Sequence, residues 1–271
     1  MNSLFILLQR LVPHHLFSRL VGSIAESRTG WLKNLVIKTF VRIYNVDMSE
    51  SARHNAEQFV NFNDFFTREL ADSARTIEGD ITSPADGTIS ALGRIEHNQI
   101  FQAKGLTYSL EKLLATSAVG DYINGSFITI YLAPSNYHRV HFPLDSSLTA
   151  SRYIPGKLFS VNQVTANSIP DLFADNERLV CETKTSHGPV SIIMVGAMIV
   201  AGIKAIWKDE PYPPGKILSE SFDTPIEFIK GDELGQFHLG STVILLFQDE
   251  INWLVSPGEE IKFGDPLAET S

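Results

Sequence analysis

The chain has 271 residues, of which 44% are hydrophobic and 20% charged, a composition typical of a globular protein that buries a core in one or two domains. This composition excludes a disordered chain, and the net charge of -9 argues against broad binding to nucleic acid. The single cysteine, Cys181, cannot form an internal disulfide, which favours a reducing compartment. No Cys/His cluster has the spacing of a zinc site, so we expect no metal.

The N-terminal segment, up to Tyr44, has the opposite charge from the rest of the chain. It carries six basic residues and one acidic residue, a net +5, which leaves -14 for the remainder. Apolar residues recur there at helical spacing and leave the basic residues Lys33, Lys38 and Arg42 elsewhere on the helix surface; the apolar set is Leu32, Leu35, Val36, Phe40 and Ile43. Such a helix can simply pack on the protein body, but its charge favours the surface of an anionic membrane.

The N-terminus does not predict a membrane-spanning helix or a signal peptide. Gln9 and Arg10 interrupt the apolar run of residues 4–12, and Pro13 follows it, so the run is far shorter than the roughly 20 residues of a spanning helix. No small-residue cleavage site closes the run. A mitochondrial presequence stays open, because the first 25 residues contain no acidic side chain.

A second helical pattern is predicted over residues 49–70, and it ends in the phenylalanines Phe59, Phe62, Phe65 and Phe66. The polar stretch 71–79 follows and is a candidate boundary. We therefore predict two regions, a helical membrane-associating region over residues 1–70 and a β-rich catalytic domain over residues 71–271.

Beyond this boundary the sequence changes to short runs rich in Val, Ile, Thr and Phe, separated by Gly, Pro, Asn and Asp turns. The predicted strands include residues 126–132, 190–195 and 242–247, and the apolar stretch 190–203 is predicted as a strand pair or a strand with a turn. One helix is expected near residues 109–116, and short strands turn at Gly258 and Gly264. The expected fold class is α+β: N-terminal amphipathic helices followed by a predominantly antiparallel β barrel or sandwich-like body.

Three segments contain residues that could carry chemistry. Pro84-Ala85-Asp86-Gly87 by itself predicts a hairpin turn, with Asp as a cap and Gly at positive φ. His138 and His141 lie three residues apart, so in a regular strand they would point to opposite faces and could do different jobs. Histidine suits proton transfer near neutral pH, although a lone histidine is more often only hydrogen-bonded.

The third segment is Gly240-Ser241, which by itself predicts a turn that enters a buried strand. Gly240 has no Cβ, so a nucleophile can approach its carbonyl. Asp, His and Ser in separate loops allow a triad in which His takes the Ser proton and Asp orients the imidazole. A serine hydrolase fits less well, because residues 239–243 lack the second glycine of a nucleophile elbow and continue as a strand.

With these segments the sequence resembles the phosphatidylserine decarboxylase family, and the resemblance extends over nearly the whole chain. The order and number of the matching segments make it specific; they are NFNDFFTREL (61–70), SPADG (83–87), YHRVHFP (137–143), GKLFSVN (156–162), KGDELG (230–235) and LGSTVI (239–244). One departure is AMIVAG (197–202), where the family pattern has smaller or hydroxylated residues, and it puts local packing in doubt.

The resemblance implies a bacterial, membrane-associated carboxy-lyase that makes its own pyruvoyl group. The chain would split between Gly240 and Ser241 into a β chain, residues 1–240, and an α chain, residues 241–271. By the same resemblance, His141, oriented by Asp86, would deprotonate Ser241, whose oxygen attacks the Gly240 carbonyl. Elimination and loss of ammonia would then leave the pyruvoyl group at residue 241.

The resemblance also implies the substrate. The amine of phosphatidylserine would form a Schiff base with the pyruvoyl group, and loss of carbon dioxide would give phosphatidylethanolamine. His138 is the candidate for proton transfer in this reaction, and Ser160 is a candidate for the substrate pocket. The long N-terminal helices favour a diacyl phospholipid over the archaeal serine lipids used by shorter relatives.

Further expectations concern partners and location. We expect the two chains of one precursor to stay together, an anionic membrane surface as a partner, a homodimer of these heterodimers, and no nucleic acid. The expected location is peripheral, at the cytoplasmic face of the bacterial inner membrane. Two other functions stay open from the residues alone. An Asp86/His141/Ser241 hydrolase predicts an uncut chain labelled at Ser241 by a fluorophosphonate, and a membrane-bound binding or carrier module predicts no effect of Ser241→Ala.

Overall fold

A computed structural model of the chain describes residues 22–197, 202–237 and 241–269. Its labelled α-helices are α1 (Gly30–Tyr44), α2 (Phe62–Phe66), α3 (Leu110–Leu114), α4 (Gln163–Ala166) and α5 (Leu172–Asp175), with 3-10 helices at Ala56–Gln58 and Gly120–Tyr122. The strands are β1 (Ile81–Thr82), β2 (Gly87–Arg94), β3 (Gln99–Ala103), β4 (Leu106–Ser109), β5 (Ser126–Leu132), β6 (Arg139–His141), β7 (Ser146–Ile154), β8 (Arg178–Thr185), β9 (Gly188–Gly196), β10 (Ile203–Ala205), β11 (Leu218–Phe228), β12 (Glu233–Phe237), β13 (Ser241–Phe247), β14 (Asn252–Trp253), β15 (Glu260–Ile261) and β16 (Pro266–Glu269).

The body is built on an eight-stranded antiparallel sheet with the order β11-β7-β8-β9-β13-β5-β2-β15, called the central sheet below. Two three-stranded sheets, β1-β16-β14 and β10-β12-β6, and the hairpin β3-β4 complete it. The central sheet has β11 and β15 as its two edges, so over the described ranges it does not close into a barrel. The predicted α+β class with a sandwich-like body is confirmed, whereas the barrel alternative is not.

Strand β13 lies inside the central sheet, and all seven of its residues are buried. Val243 and Leu245 face an apolar cluster that includes residues of β6, β10 and β12. Ile244 and Leu246 face a second cluster that includes residues of α3 and α5. Because both faces are covered, the strand reads in sequence as a continuous apolar run instead of an alternating one.

Helix α1 packs on the phenylalanines of α2 through part of the predicted apolar face. Ile37 is buried, and the Phe40 ring lies 5.1 Å from the Phe62 ring. Leu35 and Ile43, predicted on the same apolar face as Phe40, are 57% and 68% exposed. Lys33, predicted on the surface, is buried because its Nζ donates to the Ala56 carbonyl at 2.8 Å. A lysine can lie at a packed face when its ammonium reaches such an acceptor.

The predicted helix over residues 49–70 is wrong. Only the 3-10 helix Ala56–Gln58 and α2 form there. Side chains bond to the backbone and end each turn: Gln58 Oε1 accepts from the Asn55 amide at 2.8 Å, and Asn61 Oδ1 accepts from the Asp64 amide at 2.8 Å. Such local bonds compete with helix continuation, which apolar spacing alone does not reveal.

Most predicted strands are confirmed, and the predicted hairpin at Asp86 is wrong. Strand β5 has the predicted bounds, β9 and β13 contain the predicted runs, and α3 lies within the predicted helix. Gly258 and Gly264 adopt φ of 91° and 92°, as their turns require. Strands β1 and β2, however, do not pair with each other, because β1 pairs with β16 while β2 pairs with β5 and β15. The Asp86 segment therefore connects two sheets.

Two sequence features fall wholly or mostly outside the described residues. The departure from the family pattern at 197–202 is described only at Ala197 and Gly202. The first part of the basic N-terminal segment, residues 1–21, is not described. Among the helices that are described, none is long and apolar enough to cross a membrane.

Candidate active site

Ser241 is the first residue of β13 and is held from both sides. It pairs with Leu132 of β5 and with Gly196 of β9. Its side chain is fully buried, and its Oγ has no hydrogen-bond partner among the described residues. A buried hydroxyl without a partner is unfavourable by about 1–3 kcal/mol. The Ser241 hydroxyl therefore does not contribute to stability and is available for chemistry.

The loop that follows β5 brings His138 towards the segment that contains Ser241. Leu132, before the loop, pairs with Ser241, and the His138 carbonyl, after the loop, accepts from the Phe237 amide at 3.0 Å. The loop is therefore tied at both ends to residues that flank 238–240. Gly240 lies in that interval, outside the described residues.

His138 presents an unprotonated ring nitrogen inside the protein. Its Nδ1 lies 2.9 Å from the Asn136 carbonyl, which can only accept, so Nδ1 carries the proton and Nε2 has a free lone pair. That Nε2 is buried without a partner in the described part of the chain. The ring packs 4.0 Å from the Phe66 ring. Burial, helped by the nearby charge of Arg68 and opposed by the Asn136 hydrogen bond, lowers the pKa of His138 to about 3, so the imidazole is neutral at pH 7.

His141 lies three residues further along β6 and has partners at both ring nitrogens. Nδ1 donates to the Gly231 carbonyl at 2.8 Å, and Nε2 lies 3.0 Å from the Tyr137 hydroxyl. Its ring stacks on Phe263 at 3.7 Å. Burial lowers the pKa of His141 to about 4, although the Gly231 hydrogen bond opposes this. His141 is therefore a neutral imidazole whose Nε2 accepts the Tyr137 proton.

Asp86 is buried next to this histidine but is held by other groups. One carboxylate oxygen accepts from Arg75 at 3.0 Å, and the other accepts from the Phe263 amide at 2.8 Å. Burial raises the pKa of Asp86, and these two donors oppose the rise. Within the described ranges no hydrogen bond joins Asp86 to His141. Their connection is indirect, through Phe263, whose amide binds Asp86 and whose ring covers His141.

Ser160 lies in a segment that is tied to the partner strand of Ser241. The side-chain amide of Asn176 donates through Nδ2 to the Phe159 carbonyl at 2.8 Å and to the Gly196 carbonyl at 2.9 Å. Since Gly196 pairs with Ser241, the segment of Ser160 is anchored close to the start of β13. Asn176 is fully buried, as expected for a side chain that joins two segments.

Several residues of this region were not singled out by the sequence. Tyr137 and Arg75 contact His141 and Asp86, Arg68 approaches His138, and Gly196 and Asn176 hold the partner strand of Ser241. Tyr137 and Arg68 lie inside the signature segments and could have been listed with them. Asn176 and Gly196 carry no such signal, because only strand pairing brings them to the site.

The described residues contain no group of three or more His, Cys, Asp or Glu side chains suited to a metal ion. Ser241 instead presents a hydroxyl, and His138 in the neighbouring loop presents an imidazole nitrogen, each without a partner among the described residues. Such groups suit nucleophilic attack and proton transfer. His141 borders a surface pocket of about 400 Å³, also lined by Arg75, Tyr137 and Phe263.

Comparisons with known proteins agree with this chemistry. A family model described as phosphatidylserine decarboxylase matches residues 62–269, and a second model described as PSD matches residues 4–45. A phosphatidylserine decarboxylase proenzyme of Ectopseudomonas mendocina is 47% identical over 277 residues, covering 97% of each chain. The proenzyme of Alcanivorax borkumensis is 48% identical over 92% of this chain and 88% of its own, and that of Azotobacter vinelandii is 44% identical over 100% and 99%. The chain therefore belongs to the phosphatidylserine decarboxylase family.

Proposed function

We propose that this protein is a phosphatidylserine decarboxylase that cuts itself between Gly240 and Ser241 and converts Ser241 into its pyruvoyl group. The observation that carries the proposal is the buried Ser241 hydroxyl at the start of β13, which has no partner within residues 22–197, 202–237 and 241–269. The curated relatives are named proenzymes, which is consistent with processing. A pyruvoyl group fits this position, because it is no larger than serine and faces Gly196, which has no side chain.

The self-cleavage is an acyl shift followed by an elimination. Ser241 Oγ loses its proton and attacks the Gly240 carbonyl carbon, so a C–O bond forms and the C–N bond of the peptide breaks. Elimination then removes the Cα proton of residue 241, forms a double bond between Cα and Cβ, breaks the bond between Cβ and Oγ, and releases the upstream chain as a carboxylate. Water replaces the nitrogen of residue 241, which leaves as ammonia. The products are residues 1–240 and residues 241–271.

The proposed base for the cleavage is His141, with Asp86 as its supporting carboxylate. The lowered pKa keeps His141 neutral and able to accept a proton. Its Nε2 is bonded to the Tyr137 hydroxyl, so the proton of Ser241 reaches it either after this bond opens or through Tyr137. Asp86 acts by fixing Phe263, which covers the His141 ring.

The proposed role of His138 is proton transfer during decarboxylation. When present, the pyruvoyl group supplies a ketone that takes up the electrons released as the substrate loses carbon dioxide. His138 holds its Nδ1 proton on the Asn136 carbonyl and keeps the Nε2 lone pair available. A well-placed base of this kind contributes ~10²- to 10⁴-fold. Ser160 is proposed to contact the substrate.

Helix α1 is proposed to bring the enzyme to its lipid. Trp31, Leu35 and Ile43 are 71%, 57% and 68% exposed, and the basic residues Lys38 and Arg42 are exposed beside them. Apolar and basic side chains exposed on one helix suit the interface of an anionic membrane. We therefore propose residues 1–70 as the membrane-associating region, 71–271 as the catalytic domain, and the cytoplasmic face of the inner membrane as the location. We also propose that two processed molecules form a homodimer.

The intact mass of the purified protein tests the function. The proposal expects two fragments, residues 1–240 and 241–271, the smaller one blocked to N-terminal sequencing, together with release of carbon dioxide from phosphatidylserine vesicles. A catalytically active, uncut chain would overturn the proposal. A fluorophosphonate adduct on uncut Ser241 would instead support the hydrolase.

A further inference from the structure

Glu177 lies in the same row of the central sheet as Ser241. The Gly196 amide donates to the Glu177 carbonyl at 2.8 Å, one position beyond the Arg178–Val195 pair. Gly196 in turn pairs with Ser241. Directly opposed residues of neighbouring strands point to the same face, so the Glu177 and Ser241 side chains leave the sheet on one face, two strand spacings or ~10 Å apart.

The space between these two side chains is not filled by the strand that separates them. Gly196, the residue in the middle of the row, has no side chain. A glutamate side chain that leans along the row towards Gly196 carries its carboxyl group across at most about half of a two-strand spacing. A substrate group attached at residue 241 is then within hydrogen-bond reach of the Glu177 carboxyl group.

The Glu177 carboxyl group is buried without full hydrogen bonding. Its side chain is 5% exposed, and Oε1 has no partner in the described ranges. Burial raises the pKa of Glu177 to about 7, against the opposing effect of Tyr153. Tyr153 of β7 faces it, with Tyr212 stacked on Tyr153 at 4.9 Å. Arg178 points to the opposite face, where it donates to backbone carbonyls of α3, so no cation neutralises Glu177 among the described contacts.

Building on the proposed function, we propose that Glu177 receives the amino group of the phosphatidylserine headgroup beside residue 241. Its carboxylate binds the ammonium and accepts one proton, so that an N–H bond breaks, an O–H bond forms, and a neutral amine faces residue 241. An ammonium nitrogen has no lone pair and cannot attack a carbonyl, so this transfer has to precede the reaction. A carboxyl group that titrates close to neutrality both accepts the proton and returns it to water.

The variant that tests this role is Glu177→Gln, and Glu182→Gln is its matched control. Glu182 lies on β8, which begins directly after Glu177, and its pKa is also raised by burial, but it binds the Tyr122 hydroxyl at 2.7 Å. Five positions separate the two glutamates, so Glu182 points to the other face of the sheet. Both variants are first assayed for cleavage by intact mass and for folding by circular dichroism.

The deciding measurement compares the rates at which two amines become attached to the small fragment. The mass of this fragment reports the attachment, after borohydride reduction for the lipid and directly for methoxyamine. Dihexanoyl phosphatidylserine carries a protonated amine at neutral pH, whereas methoxyamine does not need to lose a proton. We expect Glu177→Gln to be cut normally, to react with methoxyamine at the native rate, and to react with the lipid at least about tenfold more slowly. The lost rate should return about tenfold per pH unit as the pH rises above neutrality, because the free amine becomes more abundant.

Three other outcomes would contradict the proposed role of Glu177 in receiving the amino group. A Glu177→Gln protein that reacts natively with both amines shows that Glu177 is not needed, and one slowed equally with both shows a structural effect. A folded but uncut variant places Glu177 in the cleavage step instead. If Glu177→Gln does not fold, Glu177→Asp replaces it, since it keeps the carboxylate but withdraws it by one methylene, and the same selective loss is required. If the native chain is not cut, the proposed function fails first, which separates the two failures.

Discussion

The two polar clusters of this protein differ in how their hydrogen bonds are satisfied. Four buried polar atoms have no partner among the described residues, on Ser241, on its neighbour Thr242, and on His138 and Glu177. In the Asp86 cluster, Arg75 Nε lacks a described partner, but the carboxylate and both ring nitrogens of His141 have partners between 2.8 and 3.0 Å. Native proteins rarely leave buried polar groups unpaired. The first cluster therefore has the character of a reaction site, and the second has the character of a support that fixes geometry.

The largest expected effect is that of Ser241→Ala. Loss of the nucleophile should leave the chain uncut and inactive, while the removal of a buried hydroxyl without a partner should not lower the free energy of unfolding. Intact mass and urea unfolding measure the two results. As a control, Thr242→Val removes the neighbouring buried hydroxyl, which also lacks a described partner, and should be cut normally. A cut Ser241→Ala chain would remove the distinction between the clusters.

His138→Asn should separate the two reactions. We expect the chain to be cut, because the base proposed for cleavage is His141, and the decarboxylation rate to fall by ~10²- to 10⁴-fold. The carbon dioxide released per fully processed molecule measures this loss. If His138→Asn instead stays uncut while His141→Asn is cut, the proposed roles of the two histidines are reversed.

Asp86→Asn should act through stability and through the cleavage rate. It removes the negative partner of Arg75, whose side chain is 7% exposed, while Glu50 still binds Arg75 at 2.6 Å. Loss of one partner of a buried ion pair with a remaining acceptor is expected to lower the free energy of unfolding by about 1–3 kcal/mol. Urea unfolding of the uncut Ser241→Ala background measures it.

The control for Asp86→Asn is Glu57→Gln, which breaks the exposed ion pair between Lys38 and Glu57. Exposed pairs are screened by solvent, so no measurable loss is expected. The cleavage rate of Asp86→Asn should also fall, because Phe263 loses its charged acceptor. Equal stability of both variants would contradict the supporting role of the Asp86 cluster.

The last expected effect is on the pH dependence of stability. The native histidines stay neutral down to a pKa of about 3 for His138 and about 4 for His141, whereas unfolded histidines take up protons below ~6.5. The unfolded chain then binds more protons, so stability falls as the pH drops from ~6.5 towards 4, by up to ~1.4 kcal/mol per pH unit for each histidine. Glu177 has its pKa raised to about 7, so between its unfolded pKa and 7 it is protonated in the folded chain and ionised in the unfolded chain. Its contribution to stability therefore falls as the pH rises through this range.

The slope is measured by urea unfolding of Ser241→Ala between about pH 5 and 7. Adding His138→Asn should remove one histidine contribution and flatten the slope by up to ~1.4 kcal/mol per pH unit. Thr242→Val, which changes a buried side chain without a titratable group, provides the control and should leave the slope unchanged. An unchanged slope in the His138 variant would mean that this ring is not held neutral.

The sequence predicted the strands better than the helices. Strands β5 and β13 were recognisable because their apolar runs end at turn residues, and a strand covered on both faces must be apolar throughout. The segment 49–70 has helical apolar spacing, yet Gln58 and Asn61 bond to nearby amides and stop each turn. The expectation that a charged side chain lies on the surface is wrong for Lys33, because the Ala56 carbonyl lies within reach of its ammonium.

The site shows a similar limit. The family motifs identify Asp86, His138, His141 and Ser241, but their roles remain predictions. Spacing could not show that Asp86 binds Arg75 and Phe263, because these contacts join residues far apart in the chain. Glu177 was not singled out either. Its relation to Ser241 exists only through the register of β8, β9 and β13, which no local pattern determines.

The position of β13 also decides what cutting would do to the molecule. Chain ends of folded proteins normally lie at the surface. A cut before Ser241 would create a chain end in the interior, at the head of a strand bonded on both sides and buried along its whole length. The two pieces would then be one folding unit in two molecules, which dilution does not separate. A chain that folds before it is cut thus places a reactive terminus in the protein interior. A chain cut before folding could not easily bring its terminus there.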